Sequence, residues 1–261
     1  MLDSFRGNRK SCEIDVLDFG CGTGELVSLP LAHLGYLILG IDSHTPSIIL
    51  ANHLVAKRRS EGKPLQAKYS MASLEELSKD SKRFDVIIAS EVLEHLYEPE
   101  KTIESFRRLL KPNGICIITV PNGFGPFENL RRLEKVLMKI GIDQLFSSFS
   151  NVLIRFVRTL KGGETSSTGF SSSHSGYLNF DSGHVQFYRL KPFLTMFSEN
   201  GFSCQRAEGR SFLCGPYVDL WAQFLPGKEV VYALNGSPAK KLPLNFVSDW
   251  MFAFRLDRSH N

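Results

Sequence analysis

Apolar runs recur along the first 120 residues, separated by stretches with helical periodicity. Short continuous runs of this kind are typical of strands buried on both faces of a parallel sheet. They are IDVLDFG (14–20), YLILGID (36–42), the weaker LQAKYS (65–70), FDVIIAS (84–90) and ICIITVPN (115–122). The stretches around them predict helices over 25–34, 46–60, 73–80 and 99–114, the third with Ser73 as N-cap and Glu76 three residues later. Strands that alternate with helices at this spacing predict an α/β fold with a doubly wound, mostly parallel sheet.

The alternation stops after Asn122. Two basic amphipathic segments follow, FENLRRLEKVLMKIG and SNVLIRFVRTLK, and then the Gly/Ser/Thr-rich GGETSSTGFSSSHSG. Regular patterns return downstream and predict helices over 189–201 and 216–225 and two more strands over 203–209 and 247–257.

These patterns give a Rossmann-like sheet of seven strands. We predict one domain, residues 1–261, with a helical and loop insertion after strand five at residues 123–182. The insertion is expected to act as a lid over the substrate.

Composition places the chain among ordinary globular proteins, with 43% hydrophobic and 22% charged residues in a length of 261. The net charge of +4 is too mild to indicate nucleic-acid binding. Basic residues outnumber acidic ones by seven to three within 128–161. The basic helices predicted there would form a solvated surface, or would contact an anionic membrane surface or an acidic substrate.

The cysteines and the N-terminal segment indicate in which cellular compartment the protein is expected. The five cysteines form no CxxC pair, which suits reduced thiols. The residues before the first predicted strand contain no continuous apolar signal region. We expect a cytoplasmic protein, peripheral to a membrane if the basic helices bind one.

The motif DFGCGTG, residues 18–24, lies between the first predicted strand and the following helix. Glycines at this point let the backbone turn sharply and approach a ligand closely. A dinucleotide fingerprint has the form G-x-G-x-x-G, whereas the third glycine here comes one position early. Asp18 would repel a pyrophosphate but would suit a cationic amino group. Asp42, at the end of the next strand, can accept hydrogen bonds from both hydroxyls of a ribose.

These features together resemble the class I S-adenosylmethionine-dependent methyltransferases. VLDFGCGTGELVSLPLAHLGYLILGID is similar to their first motif and following acidic strand end, and FDVIIASEVLEHLYEPEKTIESFRRLLKPNGICIITVPN to their fourth and fifth strand regions. The similarity covers 12–122 and resumes weakly over 183–209. Within the class, the sequence is similar to the type 11/12 group that contains the ubiquinone-biosynthesis O-methyltransferases.

The resemblance implies a set of residues that bind S-adenosyl-L-methionine. They are Asp18, Gly20, Cys21, Gly22, Gly24, Asp42, Ser43, Met71, Ala72 and Ser90. In this assignment the glycine loop lines the methionyl portion, Asp42 holds the ribose, and Met71 and Ala72 flank the adenine. Many relatives have an Asp near Met71 that accepts from the adenine amine, so its absence here leaves that contact to another group such as Ser73.

The stretch EVLEHLYEP, residues 91–99, follows the fourth predicted strand. On a helical turn, Glu91, Glu94 and His95 would face the same way. Two carboxylates and an imidazole suit a divalent metal such as Mg²⁺, and related enzymes with the E-x-x-E-H spacing bind one there. RNA 2′-O-methyltransferases add a later histidine, for which GHVQF offers His184. In relatives without a metal, Glu91 shapes the site and His95 positions or deprotonates the acceptor, so Glu91, His95 and His184 are the candidate catalytic residues.

The sequence thus predicts methyl transfer to a small-molecule, lipid or glycan acceptor, with oxygen as the expected nucleophile. An RNA 2′-O-methyltransferase and a non-catalytic cofactor-binding protein are the alternatives. An NAD-dependent oxidoreductase is disfavoured by Asp18 and the early third glycine. The sequence leaves open the acceptor, which includes a small-molecule amine, and the choice between O-, N- and C-methylation. It also leaves open the use of a metal and the oligomeric state.

Overall fold

A computed structural model describes residues 1–62, 65–125, 129, 136, 185–211 and 239–257. Seven strands form one sheet: β1 (Asp15–Phe19), β2 (Leu37–Ile41), β3 (Ala67–Ser70), β4 (Phe84–Ser90), β5 (Leu110–Pro121), β6 (Phe202–Ser211) and β7 (Asp249–Leu256). Their order is β3-β2-β1-β4-β5-β7-β6. Strands β1 to β5 pair in parallel, and β7 is antiparallel to both of its neighbours. The predicted Rossmann-like, mostly parallel, seven-stranded sheet is confirmed.

Helices cover both faces of this sheet. Those in the described residues are α1 (Leu2–Arg6), α2 (Ser28–His33), α3 (Thr45–Ser60), α4 (Leu74–Lys79), α5 (Pro99–Leu109) and α6 (Leu190–Glu199), with short 3₁₀ turns at Ser11–Glu13, Leu93–His95 and Leu244–Phe246. No helix of this described part is long and apolar enough to cross a membrane.

Alternating side chains of the central strands enter two separate cores. Leu17 of β1 and Phe106 of α5 belong to the core on one face, while Val16 of β1 and Ala51 of α3 belong to the core on the other. Successive residues of a strand point to opposite faces, so a strand covered on both sides must be apolar at every position. The continuous apolar runs of the sequence therefore reflect a doubly wound sheet.

Two helix boundaries differ from the prediction by three or more residues, for local reasons. Helix α2 begins at Ser28 rather than at residue 25. Pro30 lacks an amide hydrogen and is tolerated only in the first turn of a helix, so a start at Ser28 suits it. Helix α5 ends at Leu109, and β5 begins at once, five residues earlier than predicted. The residue before Pro112 is disfavoured in helical conformation, which excludes a helix running on to residue 114.

At the amino-terminal edge of the sheet, Asp85 of β4 lies within a set of polar contacts. Its carboxylate accepts hydrogen bonds from the Lys111 ammonium (2.6 Å), the Arg9 guanidinium (2.8 Å) and the Asp15 amide (3.0 Å). Burial by itself would raise the pKa of Asp85, but these donors outweigh it and the pKa is lowered. Asp85 therefore stabilises this edge of the sheet, at the opposite end from the glycine loop.

Several predicted segments lie outside the described residues. They include most of the insertion at 123–182, the predicted helix at 216–225, and the basic helices at 128–161 apart from Asn129 and Val136. The lid and the membrane contact assigned to these segments stay predictions.

Candidate cofactor and acceptor site

The glycine loop connects β1 to α2 at the carboxyl edge of the sheet. Gly20, Gly22 and Gly24 have φ angles of 72°, 53° and 75°, in the left-handed region that favours glycine. A Cβ on Gly20 would overlap the Val92 side chain, and one on Gly24 would overlap the Tyr69 ring and hydroxyl. A Cβ on Gly22 would meet nothing within 4 Å. The loop is thus packed against protein at its two ends and open at its middle glycine, where a ligand can approach the backbone.

Asp42 connects this loop to the end of β2. One carboxylate oxygen accepts a hydrogen bond from the Gly22 amide and the other from the His44 amide, each at 2.8 Å. These bonds fix the orientation of the carboxylate next to the open part of the loop. Since each carboxylate oxygen has a second acceptor position, Asp42 can also accept from two ligand hydroxyls.

Asp18 lies beneath the loop rather than on its surface. Only 2% of it is exposed, and it accepts a hydrogen bond from the Ser28 hydroxyl at the start of α2. Burial raises its pKa to about 7; the Ser28 bond lowers the pKa and the charge of Asp42 raises it. A cation in the loop would favour the ionised form of Asp18.

The side of the site assigned to the adenine contains Ser43, Met71 and Ala72. Ser43 and Met71 are exposed, Ala72 is half-buried, and the Thr45 hydroxyl donates to the Met71 sulfur at 3.1 Å. Ser73 caps α4, where its hydroxyl accepts from the Glu76 amide at 3.2 Å. The predicted capping role of Ser73 is confirmed, and its contact with adenine stays a prediction.

At the ends of β4 and β5, Ser90 and Glu91 contact Thr119. The Thr119 hydroxyl donates to Glu91 Oε1 at 2.8 Å and lies 2.9 Å from the Ser90 hydroxyl. Glu91 has a φ of 56°, a conformation that is uncommon for a residue with a side chain. Such backbone strain persists where the surroundings hold it, and it is frequent at functional sites.

The prediction that Glu91, Glu94 and His95 share one helical turn is wrong. The turn is a short 3₁₀ helix, Leu93–His95, which begins after Glu91, and the left-handed φ of Glu91 directs the chain away from helical geometry. Glu94 Oε1 and His95 Nε2 are 3.8 Å apart. No group of three or more His, Cys, Asp and Glu side chains that could hold a metal occurs within the described ranges. The metal assignment to these three residues stays a prediction.

Glu94 is the most deeply buried carboxylate of the site, with 1% exposure. Within the described part of the chain, neither of its carboxylate oxygens has a hydrogen-bond partner. Burial raises its pKa to about 8, and the charges of Glu91 and Asp249 add to this effect. Glu94 thus holds a proton more tightly than an ordinary glutamate does.

The chain that follows the insertion returns across the same edge. The Val185 and Gln186 amides both donate to the Glu94 carbonyl at 2.9 Å, and the Tyr188 hydroxyl donates to the Leu93 carbonyl at 2.9 Å. Residues 185–188 therefore lie directly against the EVLEHLYEP stretch. His184, the remaining candidate catalytic residue, lies outside the described residues.

Three residues of the site were absent from the sequence prediction: Thr119, Arg210 and Asp249. The Arg210 guanidinium lies 3.3 Å from Glu91 Oε1 and 3.4 Å from the Thr119 hydroxyl. Asp249 accepts a hydrogen bond from the Ser211 hydroxyl. Thr119 and Asp249 lie within three residues of the end or start of a predicted strand and could have been found as polar residues near strand ends, whereas no local pattern marks Arg210.

Comparison with known families decides the assignment. A family described as a methyltransferase domain matches residues 4–207. The chain belongs to this methyltransferase-domain family. The predicted resemblance to class I S-adenosylmethionine-dependent methyltransferases is confirmed at the level of family and fold.

Curated relatives of this methyltransferase-domain protein include ubiquinone biosynthesis O-methyltransferases. The one from Coxiella burnetii is 39% identical over 107 residues, 41% of this chain and 43% of the relative. The one from Pelagibacter ubique is 40% identical over 109 residues, 42% of each chain. The matched region spans less than half the length of these relatives.

Solved structures share the fold. PKMT2 from Rickettsia typhi, in complex with AdoHcy, has a TM-score of 0.58 at 18% identity, over 95% of this chain and 49% of its own. YcgJ from Bacillus subtilis has a TM-score of 0.52 at 16% identity, over 98% of this chain and 96% of its own. At these identities the likeness concerns the fold alone.

Proposed function

We propose that this protein transfers a methyl group from S-adenosylmethionine to a hydroxyl oxygen of a small-molecule acceptor. The observation that carries the proposal is the hydrogen bond between the Gly22 amide and Asp42. It joins an open glycine loop to an oriented carboxylate at the edge where ligands bind in open α/β sheets.

The residues of the loop suit the proposed cofactor. Gly20, Cys21, Gly22 and Gly24 would contact its methionyl portion, and the buried Asp18 would supply negative charge beneath its amino group. Asp42 would accept from the ribose hydroxyls. Ser43, Met71 and Ala72 would contact the adenine, and the exposed thioether of Met71 offers a polarisable surface for that ring.

The acceptor would bind beside Ser90 and Glu91, at the ends of β4 and β5. In the reaction, the sulfur–methyl bond breaks as the oxygen–methyl bond forms, and S-adenosylhomocysteine leaves. The acceptor hydroxyl gives its proton to a base, for which Glu91, His95 and His184 are the candidates. This chemistry depends mainly on alignment of the acceptor oxygen with the methyl group and on exclusion of water.

Oxygen as the nucleophile is supported by the names of the curated O-methyltransferase relatives. We take a phenolic hydroxyl as the first acceptor class, with lipid and glycan hydroxyls as the next. A divalent metal such as Mg²⁺ at Glu91, Glu94 and His95 would lower the pKa of that hydroxyl. The described side chains form no three-ligand group, and the protein bases named above would accept the proton with or without such an ion.

The test combines binding and transfer. Calorimetry should show binding of S-adenosylhomocysteine and none of NAD; the opposite result would contradict the cofactor assignment. Labelled methyl transfer to 3,4-dihydroxybenzoate, a simple catechol, should then give an O-methylated product. Transfer to RNA, or to lipid or glycan fractions alone, would replace the phenolic acceptor by those classes. Binding without transfer to any of them would indicate a non-catalytic cofactor-binding protein.

A chelator added to the same assay tests the metal. Turnover that falls on chelation and returns with Mg²⁺ would support the assignment to Glu91, Glu94 and His95, and unchanged turnover would remove it. Vesicles with and without anionic lipid would likewise test the contact predicted for residues 128–161.

A further inference from the structure

Arg210 approaches the acceptor side of the site from a distant strand. It belongs to β6, and its guanidinium contacts Thr119 of β5 and Glu91 after β4. In the sheet order, β7 lies between β6 and β5. Thr119 is thus two strand spacings away, roughly 10 Å. An ordinary position on β6 would direct its side chain above or below the sheet rather than along it.

A β-bulge accounts for this reach. Gly209 pairs with Trp250 and Ser211 pairs with Asp249, so two steps along β6 match one step along β7. Arg210 is the extra residue between these pairs. Bulges bend a strand, redirect a side chain and are frequent beside active sites.

Both neighbours of Arg210 fix the bulge in place. A Cβ on Gly209 would overlap the Ala239 carbonyl and the Val247 side chain, so the close packing there requires glycine. On the other side, the Ser211 hydroxyl bonds to Asp249, and the Ser211 carbonyl accepts from the Ser248 amide at 2.8 Å. The backbone of Arg210 is therefore held by buried and hydrogen-bonded groups, while its side chain stays half-exposed.

The guanidinium meets a carboxylate that is held by Thr119 in two ways. The Glu91 amide donates to the Thr119 carbonyl at 3.0 Å, and the Thr119 hydroxyl donates to Glu91 Oε1 at 2.8 Å. Arg210 lies 3.3 Å from the same oxygen. It also brings a positive charge to the part of the site that contains Glu94 and Asp249.

We infer that Arg210 is a positioning residue for methyl transfer, which fixes the Glu91 carboxylate beside the acceptor hydroxyl through the bulge of β6. The inference rests on the proposed function, because it takes the acceptor to bind next to Glu91. Arg210 acts through Glu91 and not on the cofactor, so its loss changes the rate of transfer and leaves cofactor binding intact.

The test compares R210Q and R210K with wild type, with labelled transfer to 3,4-dihydroxybenzoate as the assay. R210Q should lower kcat by about tenfold to a hundredfold, as misplacement of a group in the site does. The affinity for S-adenosylhomocysteine and the KM for the acceptor should stay within about twofold of wild type. R210K should recover part of the rate, since lysine supplies the charge without the planar pair of donors.

R206Q is the matched control. Arg206 lies on the same strand, next to its other register shift, and pairs with Glu208 on the surface. R206Q should have the wild-type kcat, the wild-type KM for the acceptor and the wild-type affinity for S-adenosylhomocysteine. An unchanged kcat in R210Q, or an equal fall of kcat in R206Q, would overturn the inference.

A double-mutant cycle tests whether Arg210 acts through Glu91. Once E91Q is present, R210Q should cause little further loss, because the two residues act as one unit. Equal losses in both backgrounds would overturn the inference. If wild type transfers no methyl group to the catechol, the proposed phenolic acceptor is wrong, and the role of Arg210 is not what has failed. Urea unfolding of wild type, R210Q, E91Q and the double mutant then tests the inference. Non-additive losses of unfolding free energy support the Arg210–Glu91 contact, and additive losses overturn it.

Discussion

The buried carboxyl of Glu94 predicts an unusual dependence of stability on pH. Its pKa rises from 4.5 in an unfolded chain to about 8 in the folded protein. Between these pH values the folded state keeps a proton that the unfolded chain releases. The free energy of unfolding therefore decreases as pH rises through this window and levels off above it. The full loss is at most about 5 kcal/mol, at roughly 1.4 kcal/mol for each tenfold change in proton affinity.

The substitution E94Q keeps the shape of the side chain and removes its titration. Urea unfolding at a series of pH values is the assay. Asp18, whose pKa is raised to about 7, contributes a similar slope that ends near that pH. Between pH 7 and 8 the remaining loss of stability, about 1 kcal/mol over that pH unit, belongs mainly to Glu94. We expect E94Q to lose this slope and to be more stable than wild type at pH 8.

The control for this prediction is E98Q. Glu98 lies four residues away, is exposed, and pairs with Lys101 at 2.7 Å. E98Q should keep the wild-type slope. The reasoning is refuted if E94Q unfolds with the wild-type slope between pH 7 and 8, or is the less stable protein at pH 8. Excess Mg²⁺ in the same titration would flatten the wild-type slope if Glu94 is a metal ligand, since a bound cation displaces the proton.

Three further substitutions test the cofactor loop and the lower edge of the sheet. D42A should weaken S-adenosylhomocysteine binding by about 1–3 kcal/mol in calorimetry, because the ribose hydroxyls lose their acceptor; unchanged affinity would contradict its role. G24A should abolish that binding and lower the unfolding midpoint more than G7A, since both glycines have positive φ but only Gly24 lies against Tyr69; equal effects would disprove the steric argument. D85N should destabilise the protein at pH 7, and the difference should shrink as pH falls below the ordinary carboxyl pKa of 3.8 towards the lowered pKa of Asp85; a difference that shrinks between pH 7 and 5 and stays constant in more acidic solution would count against it.

Much of the fold was predictable because the signals are local. The strand β4 has the predicted bounds, since a run of apolar and small residues, interrupted only by Asp85 near its start, fits a strand buried on both faces. The start of α4 followed from Ser73 and Glu76, whose reciprocal bonds form a capping box. Each of these two predictions depends only on residues within, or directly before, one strand or helix.

The site was less predictable because its geometry depends on distant partners. The residue spacing predicted that Glu91 lies on a helical turn. Its amide instead donates a hydrogen bond to the carbonyl of Thr119, 28 residues away, and its backbone takes a left-handed conformation. Arg210 reaches the site through a bulge that is defined by pairing with β7. Such pairing follows from the assembled sheet, so no window along the sequence could indicate it.

Gly123, which follows β5, and Tyr188, which precedes α6, are in contact and bracket residues 124–187. The Gly123 amide donates to the Tyr188 carbonyl at 3.1 Å, and a Cβ on Gly123 would lie 2.7–2.8 Å from the backbone of Phe187 and Tyr188. Closing a loop between fixed ends costs only about 0.6 kcal/mol more for each doubling of its length. A change in the length of the stretch between these two residues should therefore cost little stability, and the sheet can keep its register. If this stretch is the predicted substrate lid, grafting the corresponding stretch of a relative between Gly123 and Tyr188 should transfer the acceptor preference of that relative.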